Sequence, residues 1–251
     1  MSANPPARRR RVSLRPRGLD TARELDLLAD LPLNFDPAQA PPHHRRGWHE
    51  DQRCTPVGVE APGAFQPGGA AETAVRLIEA YDFSDPSLLR AAFRPDVPLL
   101  GRDMLLQGSF LFLRFLLGVR VNEVLDETRE GPRGPERAVG WSYRTLRGHL
   151  EQGELRYEVV KELDTGRVAF RIRAHSRRAP IPNPWLRLGW RLFGRRRQLR
   201  FYRRAIERLP ALVREPPPPL PPGPDGLVRA PAGAGPADTR GVVVHVRRGG
   251  R

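Results

Sequence analysis

The chain of 251 residues has very little cysteine and lysine and no long apolar run. Cys54 is the only cysteine, which excludes an internal disulfide and a cysteine-rich zinc or iron–sulfur site. The most apolar run, residues 110–117, is broken by Arg114 and is far shorter than the about 20 residues that a membrane-spanning helix needs. We therefore expect no transmembrane segment, and a single cysteine fits a cytoplasmic location.

Lysine is nearly absent, but the chain is basic because of arginine. Lys161 is the only lysine among 43 basic residues, and the formal net charge is +15. Residues 21–183 are close to neutral, whereas residues 184–213 carry nine arginines and a single acid, Glu207. The excess positive charge therefore makes residues 184–213, and not the whole protein, a candidate for contact with a polyanion.

Composition divides the chain into three regions. Residues 1–29 are predicted to form a disordered basic arm, residues 30–212 a single α+β domain, and residues 213–251 a disordered tail. The tail begins with the prolines of 216–222, and proline lacks the N–H that helices and sheets require, so an extended spacer is expected. No apolar stretch of signal-peptide length follows the basic arm, so an export signal is not favoured.

The period of the apolar residues predicts short helices followed by strands. Residues 30–68 are rich in turn formers and are predicted to be irregular, and helices are predicted over 71–81 and, after Asp85 and Pro86, over 87–93. From residue 103 the pattern alternates. Strands are predicted over 104–113 and 119–128, with a corner near Gly118, then around 139–144, 155–163 and 168–176.

The last two strands form a predicted hairpin with a defined register. Pairing Leu163 with Val168 places apolar residues opposite one another and leaves Thr165 and Gly166 as a two-residue turn. The same pairing sets Glu158 opposite Arg173 on the outer face.

A long helix is predicted to begin after Asn183, with Pro184 in its first turn. One stripe is apolar and is expected to pack on the sheet: Trp185, Leu188, Leu192, Leu199, Tyr202, Ile206 and Leu209. Another face is basic and is a candidate for contact with a polyanion: Arg187, Arg191, Arg195, Arg200, Arg204 and Arg208. The predicted fold is thus an antiparallel sheet of five to six strands wrapped on a long C-terminal helix, with two short helices before the sheet.

The segment 141–153 resembles the signature of DUF1990, a family defined by a domain of unknown function. The matching residues are Trp141, Tyr143, Thr145, Leu146, Gly148, His149, Glu151 and Gly153. The resemblance covers about residues 30–210 and implies a START or Bet v 1-like helix-grip fold, in which a sheet wraps a long helix around an apolar cavity. It implies no activity, because a fold does not define a function.

Three hypotheses for function follow. The first is binding of a small apolar or amphipathic ligand between sheet and helix, where the alternative is a solid core. Its candidate lining is Trp141, Tyr143, Thr145, Tyr157 and Phe170. The second is an enzyme that uses His149 as a general base oriented by Glu151 or Glu154, where the alternative is that His149 only caps its turn. The third is weak contact of the arginine-rich helix with RNA or an acidic membrane. No cofactor or metal site is predicted.

Overall fold

The computed structural model describes residues 12–13, 20–39, 47–110, 113–181, 183–232 and 242–246. Predictions for the remaining residues of the basic arm and the tail lie outside this part. The helices are α1 (Thr21–Asp26), α2 (Ala70–Glu79) and α3 (Pro184–Arg214), with a short 3-10 helix at Pro37–Gln39. The strands are β1 (Val12–Ser13), β2 (His49–Val59), β3 (Leu89–Phe93), β4 (Asp103–Phe110), β5 (Leu113–Gly131), β6 (Gly134–Thr145), β7 (Glu151–Glu162), β8 (Arg167–Arg178), β9 (Val228–Ala230) and β10 (Val242–Val246).

The strands form one antiparallel sheet in the spatial order β2-β8-β7-β6-β5-β4-β3-β9. Within the described residues, β1 and β10 lie off this path, with β1 paired to β10 and β10 paired in parallel to β5. The predicted α+β class is confirmed, as are the antiparallel sheet and the long C-terminal helix. The prediction of five to six strands is wrong, because the continuous path contains eight.

Three strands of the path were not predicted. β2 lies in the segment predicted to be irregular, and most of its side chains are exposed, so it lacks an apolar alternation although it pairs along its length with β8. The helix predicted over 87–93 is wrong. Asp85 caps a single turn there, and Leu89–Phe93 then pairs with β4 and β9. Long-range pairing thus decides the conformation of these segments.

One face of the sheet, called the inner face, packs against α2 and α3. The helix predicted over 71–81 is confirmed as α2, and it buries Ala71, Ala74, Leu77 and Ile78. Helix α3 contributes Phe201, Tyr202, Ala205 and Leu209 to the same cluster. The main hydrophobic core therefore lies between the inner face and these two helices.

Helix α1 packs on the opposite, outer face. Leu25 and Leu28 are buried in a second cluster with Leu105 and Leu146. A Cβ on Gly118 would lie 2.6 Å from a methyl group of Leu28, so this glycine lets α1 approach β5 closely. The predicted corner at Gly118 is wrong, because β5 continues through it. With α1 and β9, the described structure extends beyond the predicted domain limits of 30 and 212.

The hairpin of β7 and β8 forms, but the predicted register is wrong by two residues. Lys161 pairs with Val168, and Glu158 pairs with Arg171. The connection is longer than two residues, since the Gly166 N–H donates to the Glu162 carbonyl at 2.9 Å. A shift of two residues preserves the side-chain alternation, so each residue keeps its predicted face.

Helix α3 begins as predicted, because the Asn183 side chain accepts a hydrogen bond from the Leu186 N–H at 3.0 Å. The prediction of a single buried apolar stripe is wrong for the first half of the helix. Leu199 and Ile206 pack against the core, but Trp185, Leu188 and Leu192 are exposed. Leu186 and Trp190 pack against the core in that half.

Candidate functional site

A cavity lies between the inner face of β3–β8 and the middle of α3. Its volume is about 140 Å³, and most of its surface is apolar. The apolar lining comes from Leu88, Leu89, Leu106, Gly108, Phe115, Leu117, Gly153, Leu155, Trp190 and Phe201. Polar lining residues are Tyr143, Thr145, His149, Glu151, Glu154, Ser176, Arg197, Gln198 and Tyr202. The interior is therefore partly open and not a solid core throughout.

The other part of the interior is filled by aromatic rings. Trp141, Tyr157 and Phe170, three of the predicted ligand-binding residues, are fully buried there. Phe83 packs against Tyr157 and Phe170 with ring centroids 4.6 and 5.6 Å apart, and the Trp141 indole donates to the Ile78 carbonyl at 3.2 Å. The structure places these three residues in this cluster, while Tyr143 and Thr145 line the cavity.

All four tyrosines of the chain meet at the boundary between the aromatic cluster and the cavity. The hydroxyls of Tyr81 and Tyr157 share a hydrogen bond of 3.4 Å, and Tyr143 interacts with both through its own hydroxyl. Burial raises the pKa of Tyr143 to about 12. Burial first, and the neighbouring Tyr143 second, raise the pKa of Tyr202 well above 10. These groups therefore remain neutral hydroxyls at physiological pH.

The side chain of Tyr202 borders the cavity and is only 2% exposed. Its neutral hydroxyl therefore adds a polar group to the wall of a mostly apolar cavity.

His149 lies in the turn between β6 and β7 and lines the cavity. Its Nδ1 atom lies 3.0 Å from both the backbone N–H and the carbonyl oxygen of Glu151, and its tautomer decides whether it accepts from the first or donates to the second. In either case Nδ1 is engaged by the backbone of Glu151 and Nε2 is the other ring nitrogen. Burial lowers the pKa of His149 to about 4. At neutral pH the ring is thus uncharged.

Glu151 lines the cavity and contacts helix α3. The Trp190 indole donates to Glu151 Oε1 at 2.6 Å, and the Trp190 ring packs edge-on against Phe115 at 5.9 Å. Burial raises the pKa of Glu151, and the Trp190 hydrogen bond opposes this effect. Trp190 thereby closes one side of the cavity.

Two other residues of the signature segment build the turn. Thr145 donates to Asn34 Oδ1 at 2.6 Å and accepts from the Gly153 N–H at 3.0 Å. Gly153 has a φ of +153°, and a Cβ there would lie 1.9 Å from the His175 carbonyl oxygen. Only glycine fits at this position, so the signature segment fixes the geometry of the cavity rim.

The six arginines predicted to contact a polyanion do not act as one group. Arg195 forms two hydrogen bonds with Asp51 at 2.6 and 2.7 Å, and Arg204 lies 3.6 Å from Asp85. Arg208 donates to the Asp82 carbonyl. Arg187, Arg191 and Arg200 are exposed, as is the neighbouring Arg196.

Several lining residues were missed at the level of the sequence. The long helix has two apolar stripes, and the prediction took the stripe that begins at Trp185 as the buried one. Trp190, Gln198 and Phe201 were therefore not predicted to line a cavity. Leu89 and Gly108 lie on separate strands, β3 and β4, and pair directly with each other. The four-residue spacing of Leu186 and Trp190, which is close to one helical turn, was the available signal.

Two further features bear on function. Among the described residues, no group of three His, Cys, Asp or Glu side chains has a geometry that could hold a metal ion. None of the described helices combines the length and apolar character needed to span a bilayer.

Comparisons with known proteins identify the family. No curated protein matches the chain. The crystal structure of Ara h 8.0201 is similar, with 8% sequence identity and a TM-score of 0.36, over 66% of this chain and 98% of that one. The model of the family described as "Domain of unknown function (DUF1990)" matches residues 35–208. The family predicted from the signature segment is confirmed, and the chain belongs to DUF1990.

Proposed function

We propose that the protein binds a small, predominantly apolar molecule with one polar end in the cavity beneath α3. The observation that carries the proposal is the mostly apolar cavity itself, whose wall includes the neutral hydroxyl of the buried Tyr202. Apolar walls with a few polar groups are typical of small-molecule sites.

The size of the cavity limits the ligand. Its volume of about 140 Å³ is well above the ~15 Å³ needed for one water. An apolar protein cavity of roughly 150 Å³ accommodates benzene. A single aromatic ring or a short branched chain is therefore the size class that fits without movement of α3.

Two neutral polar side chains define the polar end of the ligand. The Tyr202 hydroxyl and the His149 ring are both uncharged at neutral pH. Both residues border the cavity, so a hydroxyl or carbonyl group is what they would recognise. Glu151 adds an acceptor near the same rim.

The same geometry supports binding over general-base catalysis by His149. Its Nδ1 atom is engaged by the backbone of Glu151, and a pKa of about 4 makes the ring a weak base at neutral pH. Efficient general bases have a pKa near the working pH. The turn-capping alternative for His149 therefore has the stronger support.

Toluene and p-cresol, which differ by one hydroxyl, provide a direct test of the polar end. Calorimetric titration of the whole chain is expected to show binding of both, with p-cresol tighter by about tenfold, since one hydrogen bond contributes about 1–1.5 kcal/mol. In Tyr202→Phe the preference for p-cresol should decrease while toluene binding is retained. Failure of the wild-type chain to bind either compound would overturn the proposal, and an unchanged preference in Tyr202→Phe would overturn the role of this hydroxyl.

A second variant tests the cavity itself. A Cβ on Gly108 would meet leucine methyl groups at 3.7 and 3.9 Å, which are ordinary contacts, so Gly108→Val is expected to fold and to fill the space. Toluene binding should then fall at least tenfold. The matched control is Gly189→Ala on α3, where a Cβ meets no atom within 4 Å and binding should not change.

A further inference from the structure

The first half of α3 presents a large apolar surface to solvent. Trp185 is 80% exposed, Leu188 is 48% exposed and Leu192 is 56% exposed. Their spacing of three and seven residues from Trp185 places them on one side of the helix, because an α-helix has 3.6 residues per turn. We call these three residues the exposed α3 face.

The exposed α3 face is not needed for packing. The opposite side of the same helical turns packs inward through Leu186 and Trp190, and Trp190 is anchored to Glu151. A contiguous group of large exposed apolar side chains on a folded protein commonly marks an interaction surface. The chemistry of the exposed α3 face and of the residues beside it should therefore indicate which partner it contacts.

Arginines border the exposed α3 face on both sides. Arg191 lies on one side, and Arg196 and Arg200 lie on the other, as their helical positions require. Arg187, Arg191, Arg196 and Arg200 are exposed, and within the described chain none forms an ion pair with a carboxylate. The first acidic residue of α3 is Glu207, more than five turns from its start.

We propose that the exposed α3 face docks on a lipid bilayer that contains anionic lipids, with the first half of α3 lying in the plane of the interface. Helices that lie in this plane have Trp and Leu on one face, which enters the boundary of the acyl chains, and arginines beside it, which contact lipid phosphates. This proposal does not depend on ligand binding in the cavity.

The apolar residues favour a bilayer over RNA. Phosphate contact with RNA would use the arginines, and the indole of Trp185 could stack on a base. Leu188 and Leu192 have no comparable role on RNA, whereas burial of aliphatic side chains is what holds an interfacial helix. Replacing the aliphatic residues therefore distinguishes binding to a bilayer from binding to RNA in an experiment.

Sedimentation with vesicles tests the proposal on the full chain. We expect binding to vesicles of equal parts phosphatidylglycerol and phosphatidylcholine, and at least tenfold weaker binding to phosphatidylcholine alone. The variant Trp185→Ser/Leu192→Ser should lose at least tenfold in affinity for the anionic vesicles. The matched control is Val59→Ser/Leu100→Ser, which replaces two equally exposed apolar residues elsewhere and should bind as the wild type does.

The charges are tested by a second matched pair. Arg187→Gln/Arg191→Gln should weaken vesicle binding about fivefold per arginine, because each basic residue near an anionic surface contributes about 1 kcal/mol. Arg53→Gln/Arg167→Gln has the same net charge but lies outside α3, and its binding should not change. All four replaced side chains are exposed, and unchanged thermal unfolding would show that the variants remain folded.

Two outcomes would overturn the proposal. One is the absence of binding to the anionic vesicles. The other is binding that survives Trp185→Ser/Leu192→Ser, is lost in Arg187→Gln/Arg191→Gln, and is matched by equal affinity for a polyuridine RNA. That pattern would assign the segment to phosphate contact by arginine and not to a bilayer.

Discussion

The indole N–H of Trp190 donates a 2.6 Å hydrogen bond to Glu151, which connects the first half of α3 to the first residue of β7. A few residues further along α3, Arg195 forms a two-point contact with Asp51 of β2. The helix is thus held to the sheet at two points. Trp190 belongs to the same helical turns as the exposed α3 face. A partner that contacts this face and a movement that opens the cavity would therefore act on the same rigid helix.

Replacing Glu151 by glutamine should stabilise the protein at neutral pH. Burial raises the pKa of Glu151 above 4.5, so the folded chain holds this proton more tightly than the unfolded chain. Stability therefore falls as the pH rises from the ordinary pKa through the raised pKa of the folded chain. Glutamine keeps the oxygen that accepts from Trp190 without the charge. Urea unfolding should show a gain at pH 7 that decreases towards pH 4, and a loss of stability at pH 7 would contradict this account.

Acid should destabilise the protein through His149. A folded-state pKa of about 4 against an unfolded value of 6.5 means that the contribution is present above pH 6.5 and is lost as the pH falls towards 4. Its size is up to about 3 kcal/mol. In His149→Asn the amide oxygen can still accept from Glu151, so the variant should fold but lack this component. Unfolding free energies measured between pH 7 and pH 4 should therefore converge for the two proteins; parallel curves would contradict the assignment.

The only lysine should not be replaceable by arginine. Lys161 is fully buried and donates to Glu60 at 2.7 Å and to the Ala64 carbonyl at 2.6 Å, while Glu60 also accepts from the first turn of α2. A compact ammonium fits this site, whereas a planar guanidinium is larger and needs more partners. We expect Lys161→Arg and Lys161→Met each to cost about 3 kcal/mol, because Glu60 loses its partner or its packing.

Thermal unfolding of both Lys161 variants provides the measurement. Glu60→Gln/Lys161→Met, which removes both charges, should recover part of the lost stability. A neutral effect of Lys161→Arg would show that the site is looser than the structure indicates.

Two glycines of the sheet, Gly140 on β6 and Gly108 on β4, have opposite expectations. A Cβ on Gly140 would lie 2.0 Å from the Tyr157 carbonyl oxygen on β7, so Gly140→Ala must displace the strand pairing. We expect a loss of more than about 2 kcal/mol. Gly108→Ala meets only side-chain methyl groups at ordinary distances and should be within about 0.5 kcal/mol of the wild type. Equal effects of the two substitutions in chemical unfolding would contradict the close approach at Gly140.

Local patterns in the sequence were sufficient for much of the fold. The apolar period of α2, the Asn183 cap of α3 and the face of each residue on β7 and β8 were predicted and are observed. These features depend on a few consecutive residues, because helix capping and the alternation of a strand follow from local backbone geometry. The signature segment likewise identified the family and placed Tyr143 and Thr145, which line the cavity.

Long-range packing decided the rest. The hairpin register changed by two residues, which leaves the alternation intact, so no local pattern could detect it. Helix α3 carries two apolar stripes, and only contact with the sheet chooses Trp190 for the interior and leaves Trp185 outside. Whether inward-facing rings fill a core or border a cavity depends on how volumes from distant elements add together, which is a property of the assembled chain.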